Sequence, residues 1–190
     1  MSGPLAQLQD WYAEARAAGV HEPEAAALAT ASAAGRPSVR MVLLRGVDAR
    51  GVAFYTNRES RKGRELAENP RAAIAIHWPE QERQVRLEGP VERLPEAESD
   101  AYFASRPHGS RLGAWASHQG TEIPADEDLD ARVEALARQY PDDVPRPPYW
   151  GGYLLRPDAV EFWEGRPSRL HDRIHFLRDG DGWRSARLSP

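Results

Sequence analysis

Apolar residues recur at helical spacing over residues 4–18, where Leu5, Leu8, Trp11, Tyr12 and Ala15 share one face and Gly19 supplies a stop. The period then changes. Ala25 to Ala33 and Ser38 to Arg45 read as two strands joined by the turn Ala34-Gly35-Arg36-Pro37. In the second, Met41, Val42, Leu43 and Leu44 are consecutively apolar, which predicts a strand covered on both faces. Asp48-Ala49-Arg50-Gly51 is a turn and Val52 to Thr56 a third strand. Ser60 stands as the N-cap of a helix that ends at Asn69-Pro70.

Ala72 to Trp78 and Gln84 to Arg93 are predicted strands; in the latter, Val85 and Leu87 alternate with polar neighbours. Helices are expected over 95–105 and 126–139, with a Pro-rich loop from Pro141 to Pro148. The last third reads as a β-meander: Gly152–Arg156, Val160–Gly165, Leu170–Arg178, a turn at Asp179-Gly180-Asp181-Gly182, and Trp183–Leu188. Short strands with a few helices predict a mainly β, antiparallel barrel with helical additions. One domain over residues 1–190 is expected, with residues 1–20 as an N-terminal helix whose mobility the pattern leaves open.

Composition narrows the chemistry. The chain has no cysteine, which removes disulfides, thiolate metal sites and cysteine nucleophiles. Its formal net charge of -4 argues against a general nucleic-acid binder. The N-terminus has no signal-peptide pattern, and no apolar run nears the roughly 20 residues of a membrane span. A cytoplasmic protein without membrane or nucleic-acid partners is the expectation.

Three segments hold candidate chemistry. In Glu59-Ser60-Arg61-Lys62-Gly63, two cations in the first turn of a helix oppose its dipole, and a bound phosphate would remove the conflict. If the segment from Gly165 to Arg173 is a strand, Arg169, His171 and Arg173 lie on one face and repel one another unless they share an anion. Solvated surface charges account for either cluster equally simply. In Tyr102-Phe103-Ala104-Ser105-Arg106-Pro107-His108-Gly109-Ser110-Arg111, a hydroxyl, a guanidinium and a Gly-Ser turn suit a phosphate. Trp115, Trp150 and Trp163 are candidates to wall a planar ligand, or simply core. No metal site is expected: His171 and His175 would lie roughly 13 Å apart on a strand, and the calcium-like run from Asp179 reaches Pro190 at its twelfth position. Neither a dinucleotide nor a P-loop glycine motif is present.

Eight segments in order resemble the pyridoxamine 5'-phosphate oxidase family, from about residue 10 to the end. They include Arg40-Met41-Val42-Leu43-Leu44, Phe54-Tyr55-Thr56-Asn57, Glu59 to Leu66 and Gln84-Val85-Arg86. The others are Tyr102 to Pro107, Gly113-Ala114-Trp115-Ala116-Ser117, Trp150-Gly151-Gly152-Tyr153 and Arg169-Leu170-His171-Asp172-Arg173. The resemblance implies an FMN-binding split β-barrel, a homodimer holding the flavin between subunits, and oxidation of pyridoxamine or pyridoxine 5'-phosphate by oxygen. It also implies FMN contacts at Arg40, Met41, Val42, Leu43, Leu44, Arg45, Tyr55, Thr56, Arg61, Lys62, Gln84, Gln119, Trp163 and Arg173. Substrate contacts are implied at Arg45, Tyr102, Arg106 and Ser110, with Arg169 and His171 over the pyridine ring as the catalytic pair.

The sequence departs from the family's usual pattern at four positions. Arg45 replaces a usual lysine, Gly120 a usual serine, Glu164 a usual glutamine and Ser168 a usual asparagine. Two other functions suit the same residues: an FMN oxidase of the phenazine-biosynthesis type, or a non-catalytic protein that binds flavin or pyridoxal phosphate.

Overall fold

The computed structural model describes residues 3–190, so the part of the expected domain and N-terminal helix at residues 1 and 2 lies outside the described residues. Helix α1 (Pro4–Ala17) starts on a proline, whose missing N–H costs nothing there, and stops before Gly19 at φ 73°. Nine strands follow: β1 (Ala25–Ala31), β2 (Pro37–Asp48), β3 (Gly51–Asn57), β4 (Arg71–Trp78), β5 (Arg83–Arg93), β6 (Trp150–Leu155), β7 (Ala159–Glu164), β8 (Asp172–Asp179) and β9 (Gly182–Arg187). Helix α2 (Arg61–Glu68) precedes β4. Helices α3 (Glu96–Ser105), α4 (His108–Ala116) and α5 (Leu129–Gln139) all fall between β5 and β6.

All the pairings are antiparallel. Strands β1, β2, β3, β6, β5 and β4 form a ring that closes where β4 returns to β1, and β7, β8 and β9 extend from β5. The predicted antiparallel barrel with helical additions is what forms.

β5 makes this possible by changing partners along its length. Arg83 to Glu88 pair with β7, and Val91 to Arg93 pair with β6. The switch falls at Gly89, where a Cβ would sit 2.2 Å from the Arg156 carbonyl oxygen, so only glycine allows the crossing chain so close.

Alternation puts Val85, Leu87, Val160 and Phe162 inside with Leu28, Phe54, Ile74 and Ile76. Helix α1 closes one end of this core. The Trp11 ring meets Phe162 edge-on at 4.9 Å and Trp78 at 6.4 Å. A smaller core of Phe103, Leu112, Val144 and Trp150 joins α3, α4 and β6.

Three expectations need correction. β2 is not covered on both faces within one chain: Leu44 is buried, but Val39 and Met41 are 68% and 65% exposed. The Gly-Ser turn is instead the first turn of α4, which begins after Pro107 and buries Leu112 and Ala116. Its two glycines lower helix propensity, and tertiary packing of that apolar face overrides them. The predicted strand from Leu170 begins only at Asp172, because Pro167 opens a short 3-10 turn through Arg169. Arg169 is therefore not on the same strand face as Arg173.

If α1 is part of the core, Trp11→Ala should lower unfolding stability by about 3 kcal/mol or more. Urea titration followed by fluorescence measures this, and a change within about 0.5 kcal/mol would mean that α1 is only loosely attached.

Candidate functional site

A cavity of about 810 Å³ opens where β2, β3, α2, α3, α4 and the start of β6 meet. β2 contributes Met41, Val42 and Leu43, and β3 contributes Tyr55 and Thr56. The β2–β3 register slips between Leu44 and Gly46, so Arg45 sits on a bulge that aims it to the cavity wall. Lys62, Tyr102, Arg106, Ser110, Gln119 and Trp150 complete the part of the wall that carries chemistry.

Lys62 is 7% exposed, and Ser60 accepts from the Gly63 N–H to cap the helix that carries it. Its Nζ donates to Gln119 Oε1 at 3.0 Å and Thr56 Oγ1 at 3.2 Å, and no carboxylate of the described residues pairs with it. Burial first, then the neighbouring Arg40 charge, push its pKa from 10.5 down to about 8.

Arg106 is half-buried and also lacks a carboxylate. Its guanidinium lies 4.9 Å from the Trp150 ring, and Nη1 is buried with no acceptor. Burial lowers its pKa; Tyr102 opposes this and Arg45 adds to it. Tyr55, Tyr102 and Trp150 stack nearly parallel beside it, Tyr55 and Tyr102 at 4.0 Å. Among the described residues, Glu22 is the one carboxylate on the cavity wall. The surroundings thus favour an anionic ligand with a flat ring.

The other predicted residues lie elsewhere in the chain. Arg40 and Arg61 are bonded to Glu65, at 3.4 Å and 2.8 Å, so Arg61 already has an anionic partner one helical turn away. Burial opposes the Glu65 charge, but donors from Ser38, Thr30 and Arg61 outweigh it and hold the carboxyl at about 2. Leu44 is core, 2% exposed, and does not line this cavity.

Gln84, Trp163 and Arg173 form a row of directly paired residues across β5, β7 and β8. The His171 ring packs on Trp163 at 4.5 Å, and the Arg166 N–H donates to His171 Nδ1 at 3.2 Å. Arg169 is exposed at the end of the turn, and both it and Ser168 hold φ at 60°. Two such non-glycine residues in succession store strain of about 1–3 kcal/mol each. Arg173 is not left to repel its neighbours: it makes a two-bond contact with Glu161 at 2.8 and 3.1 Å. Trp115 is not on the cavity wall; it stacks on Tyr140 and donates to Pro145.

Most of the implied site residues therefore fall into two groups, one in the cavity and one along β5, β7, β8 and the turn before β8, while Arg40 and Arg61 gather at Glu65 and Leu44 lies in the core. Sequence reasoning gave Trp150 only a possible wall role and missed its contact with Arg106; the Trp150-Gly151-Gly152 run was the available signal. No group of three or more His, Asp or Glu side chains suited to a metal ion occurs among the described residues, and no helix is long and apolar enough to cross a membrane.

The closed ring, the β5 extension and the cation-bearing cavity define a split-barrel protein. The chain belongs to the pyridoxamine 5'-phosphate oxidase family. That family's model matches residues 12–140, and a second, described as the pyridoxine 5'-phosphate oxidase C-terminal dimerisation region, matches 150–190. Pyridoxine/pyridoxamine 5'-phosphate oxidase of Cupriavidus taiwanensis is 56% identical, covering 98% of this chain and 89% of the relative. The Anaeromyxobacter dehalogenans protein of the same name is 55% identical, covering 98% and 95%. Among solved structures, PhzG from Burkholderia lata in complex with tetrahydrophenazine-1-carboxylic acid is similar at a TM-score of 0.96 and 39% identity, covering 100% of this chain and 94% of that one. A pyridoxamine 5'-phosphate oxidase-related, FMN binding protein from Nostoc punctiforme shares the fold at a TM-score of 0.83 and 21% identity, covering both chains fully.

Lys62 gives a direct test of the cavity's electrostatics. Between about pH 8 and 10.5 the folded chain has released a proton that the unfolded chain still binds, so stability without ligand should rise through that window. Lys62→Met should remove this rise. Urea unfolding at a series of pH values decides it, and an unchanged slope in the variant would assign the rise to other groups.

Proposed function

We propose that the chain is an FMN-dependent oxidase that converts pyridoxamine or pyridoxine 5'-phosphate to pyridoxal 5'-phosphate. Oxygen is the final acceptor, hydrogen peroxide is the by-product, and the setting is cytoplasmic vitamin B6 metabolism. The observation that carries this is a buried Lys62 and a half-buried Arg106, its Nη1 buried without an acceptor, in one cavity without carboxylate partners. Two phosphates, one from cofactor and one from substrate, satisfy both.

Lys62, with Thr56, Gln119 and the free edge of Arg61, holds the flavin phosphate. Arg106, with Arg45, Tyr102 and Ser110, holds the substrate phosphate, with Trp150 under the Arg106 guanidinium. When bound, FMN supplies the two-electron acceptor for the substrate's C4' carbon and passes the electrons to oxygen. The amine substrate leaves as an imine that water hydrolyses to aldehyde and ammonia. Arg169 orients the pyridine ring and steadies developing charge. His171 accepts at Nδ1 from the Arg166 N–H, so its neutral ring holds a proton at Nε2 and can present it to the substrate.

Gln84, Trp163, Arg169, His171 and Arg173 do not line their own chain's cavity. We assign them to the cavity of a second copy, in a two-fold homodimer that makes two equivalent shared sites. The exposed Val39 and Met41 of β2 and the dimerisation region of the family support this arrangement.

A second activity has a specific observation in its favour. The similarity to PhzG, at a TM-score of 0.96, suits a phenazine-type oxidase with the same flavin site. An aerobic assay of FMN-loaded protein, following aldehyde and peroxide together, separates the two. Equimolar aldehyde and peroxide from either B6 phosphate establish the vitamin oxidase. Peroxide only from a reduced tricyclic substrate would establish the phenazine type, and bound flavin with no turnover a carrier.

Two variants test the assignments. Arg169→Ala should lose about 100-fold or more in turnover while keeping flavin, and unchanged turnover would remove Arg169 from the chemistry. Lys62→Ala and Arg173→Ala should each be nearly inactive alone. Coexpressed, they should recover about a quarter of wild-type activity, because half of the random dimers carry one intact site. No recovery would place each site within one chain.

A further inference from the structure

Glu161 is a buried charge that the oxidase chemistry does not use. It lies on β7 beside Trp163, on the face away from the barrel core, yet it is only 5% exposed. The cover comes from cations. Arg86 is paired with it across β5 and reaches Oε2 at 3.3 Å, and His175 is paired with it across β8. Arg173 clasps it diagonally, Nε to Oε1 at 2.8 Å and Nη2 to Oε2 at 3.1 Å. Burial opposes the carboxylate charge, and Arg173 and Arg86 hold its pKa below the usual range.

Arg173 is fixed from a second side. Its Nη1 donates to the Ser189 carbonyl at 2.9 Å, and its own carbonyl accepts from the Leu188 N–H at 2.9 Å. A guanidinium has five N–H donors. Three are committed to Glu161 and Ser189, so two remain uncommitted for a ligand. A long side chain that would otherwise sample many rotamers is held in one orientation before anything binds.

We propose that Glu161, backed by the C-terminal residues Leu188 and Ser189, is a positioning residue that presents Arg173 to the flavin. This rests on the assignment of Arg173 to the FMN site above. Glu161 touches neither flavin nor substrate; it acts only through Arg173. The carboxylate also neutralises part of the charge that Arg86 and Arg173 would otherwise set against each other.

The test is a double-mutant cycle read as FMN affinity, by flavin fluorescence quenching on the dimeric apoprotein, with no activity measurement. Glu161→Gln and Arg173→Ala should each weaken FMN binding about tenfold, within the range for residues of one network. The double variant should bind no more weakly than Arg173→Ala alone. Additive losses would show that Glu161 acts independently and overturn the proposal, as would a Glu161→Gln variant with wild-type affinity. If that variant does not fold, Glu161→Asp, which keeps the charge at shorter reach, takes its place in the same cycle. If Arg173→Ala alone leaves FMN binding unchanged, Arg173 is no flavin residue and the positioning role falls with it. Wild-type protein that binds no FMN would instead overturn the oxidase assignment itself, which makes the two failures distinguishable.

Discussion

β5 is hydrogen-bonded to β4 along one edge, and along the other to β7 over its first half and β6 over its second. That divided edge lets the ring close through β6 while the β7–β9 meander stands outside it. The cavity is built on the ring side, with Trp150 at the start of β6. The Gln84–Trp163–Arg173 row is built on the extension. One backbone constraint at Gly89, enforced by the Arg156 carbonyl at 2.2 Å from any added Cβ, marks where the ring and the extension part. In the proposed dimer a single copy thus contributes two half-sites rather than one whole site, and the exposed apolar positions of β2 lie beside the first of them.

The electrostatics follow the same division. The chain is acidic overall, yet the cavity holds Arg45, Lys62 and Arg106 against the single carboxylate of Glu22. Every other cation of the proposed flavin and substrate set except Arg169 already has a protein partner. Glu65 gathers Arg40 and Arg61, and Glu161 gathers Arg173. The two carboxylates orient guanidiniums; Arg45, Lys62 and Arg106 have no such partner among the described residues, and burial disfavours the charge of Lys62 and Arg106. Unmet demand for an anion is therefore concentrated in the cavity, where Lys62 and Arg106 both lower it only by binding one.

Much of this was legible in the chain. The Ser60 cap, the turn at Gly180-Asp181 and the alternation in β5 are local signals, and local chemistry decides them. Arg61 and Glu65 stand four apart, a spacing that allows their pairing on one helix face and gives Arg61 an anionic partner without a phosphate. Three features needed the third dimension. α4 forms despite Gly109 and Gly113 because Leu112 joins a core with Phe103 of α3 and Trp150 of β6. The turn through Ser168 and Arg169 is strained, and propensity does not predict strain held by its surroundings. The separation of Arg169 and His171 from the cavity depends on which strand β7 pairs with, which no spacing in the sequence encodes.

The departures at Arg45 and Glu164 bear on the choice of substrate, and packing separates their weights. Glu164 adds a carboxylate next to Trp163, but Arg83 takes it at 3.0 Å, and Glu14 of α1 shares the same guanidinium. Both carboxylates are about half exposed, so water screens what Arg83 does not neutralise. Its effect on a nearby anion is small. Arg45 sits on the cavity wall itself, on a bulge, and lowers the pKa of Arg106, so the two cations share one region. Together with Tyr102 and Ser110 they offer more donors than the two oxygens of a carboxylate can use. A phosphate ester, with three terminal oxygens, matches that supply better. A grip built for the larger anion discriminates against a ligand that leaves its buried donors unpaired, as Arg106 Nη1 is now. In the proposed oxidase, substrate choice therefore rests on the phosphate end of the cavity more than on the ring face, and arginine in place of the usual lysine at position 45 keeps the charge there while offering a planar fork of donors.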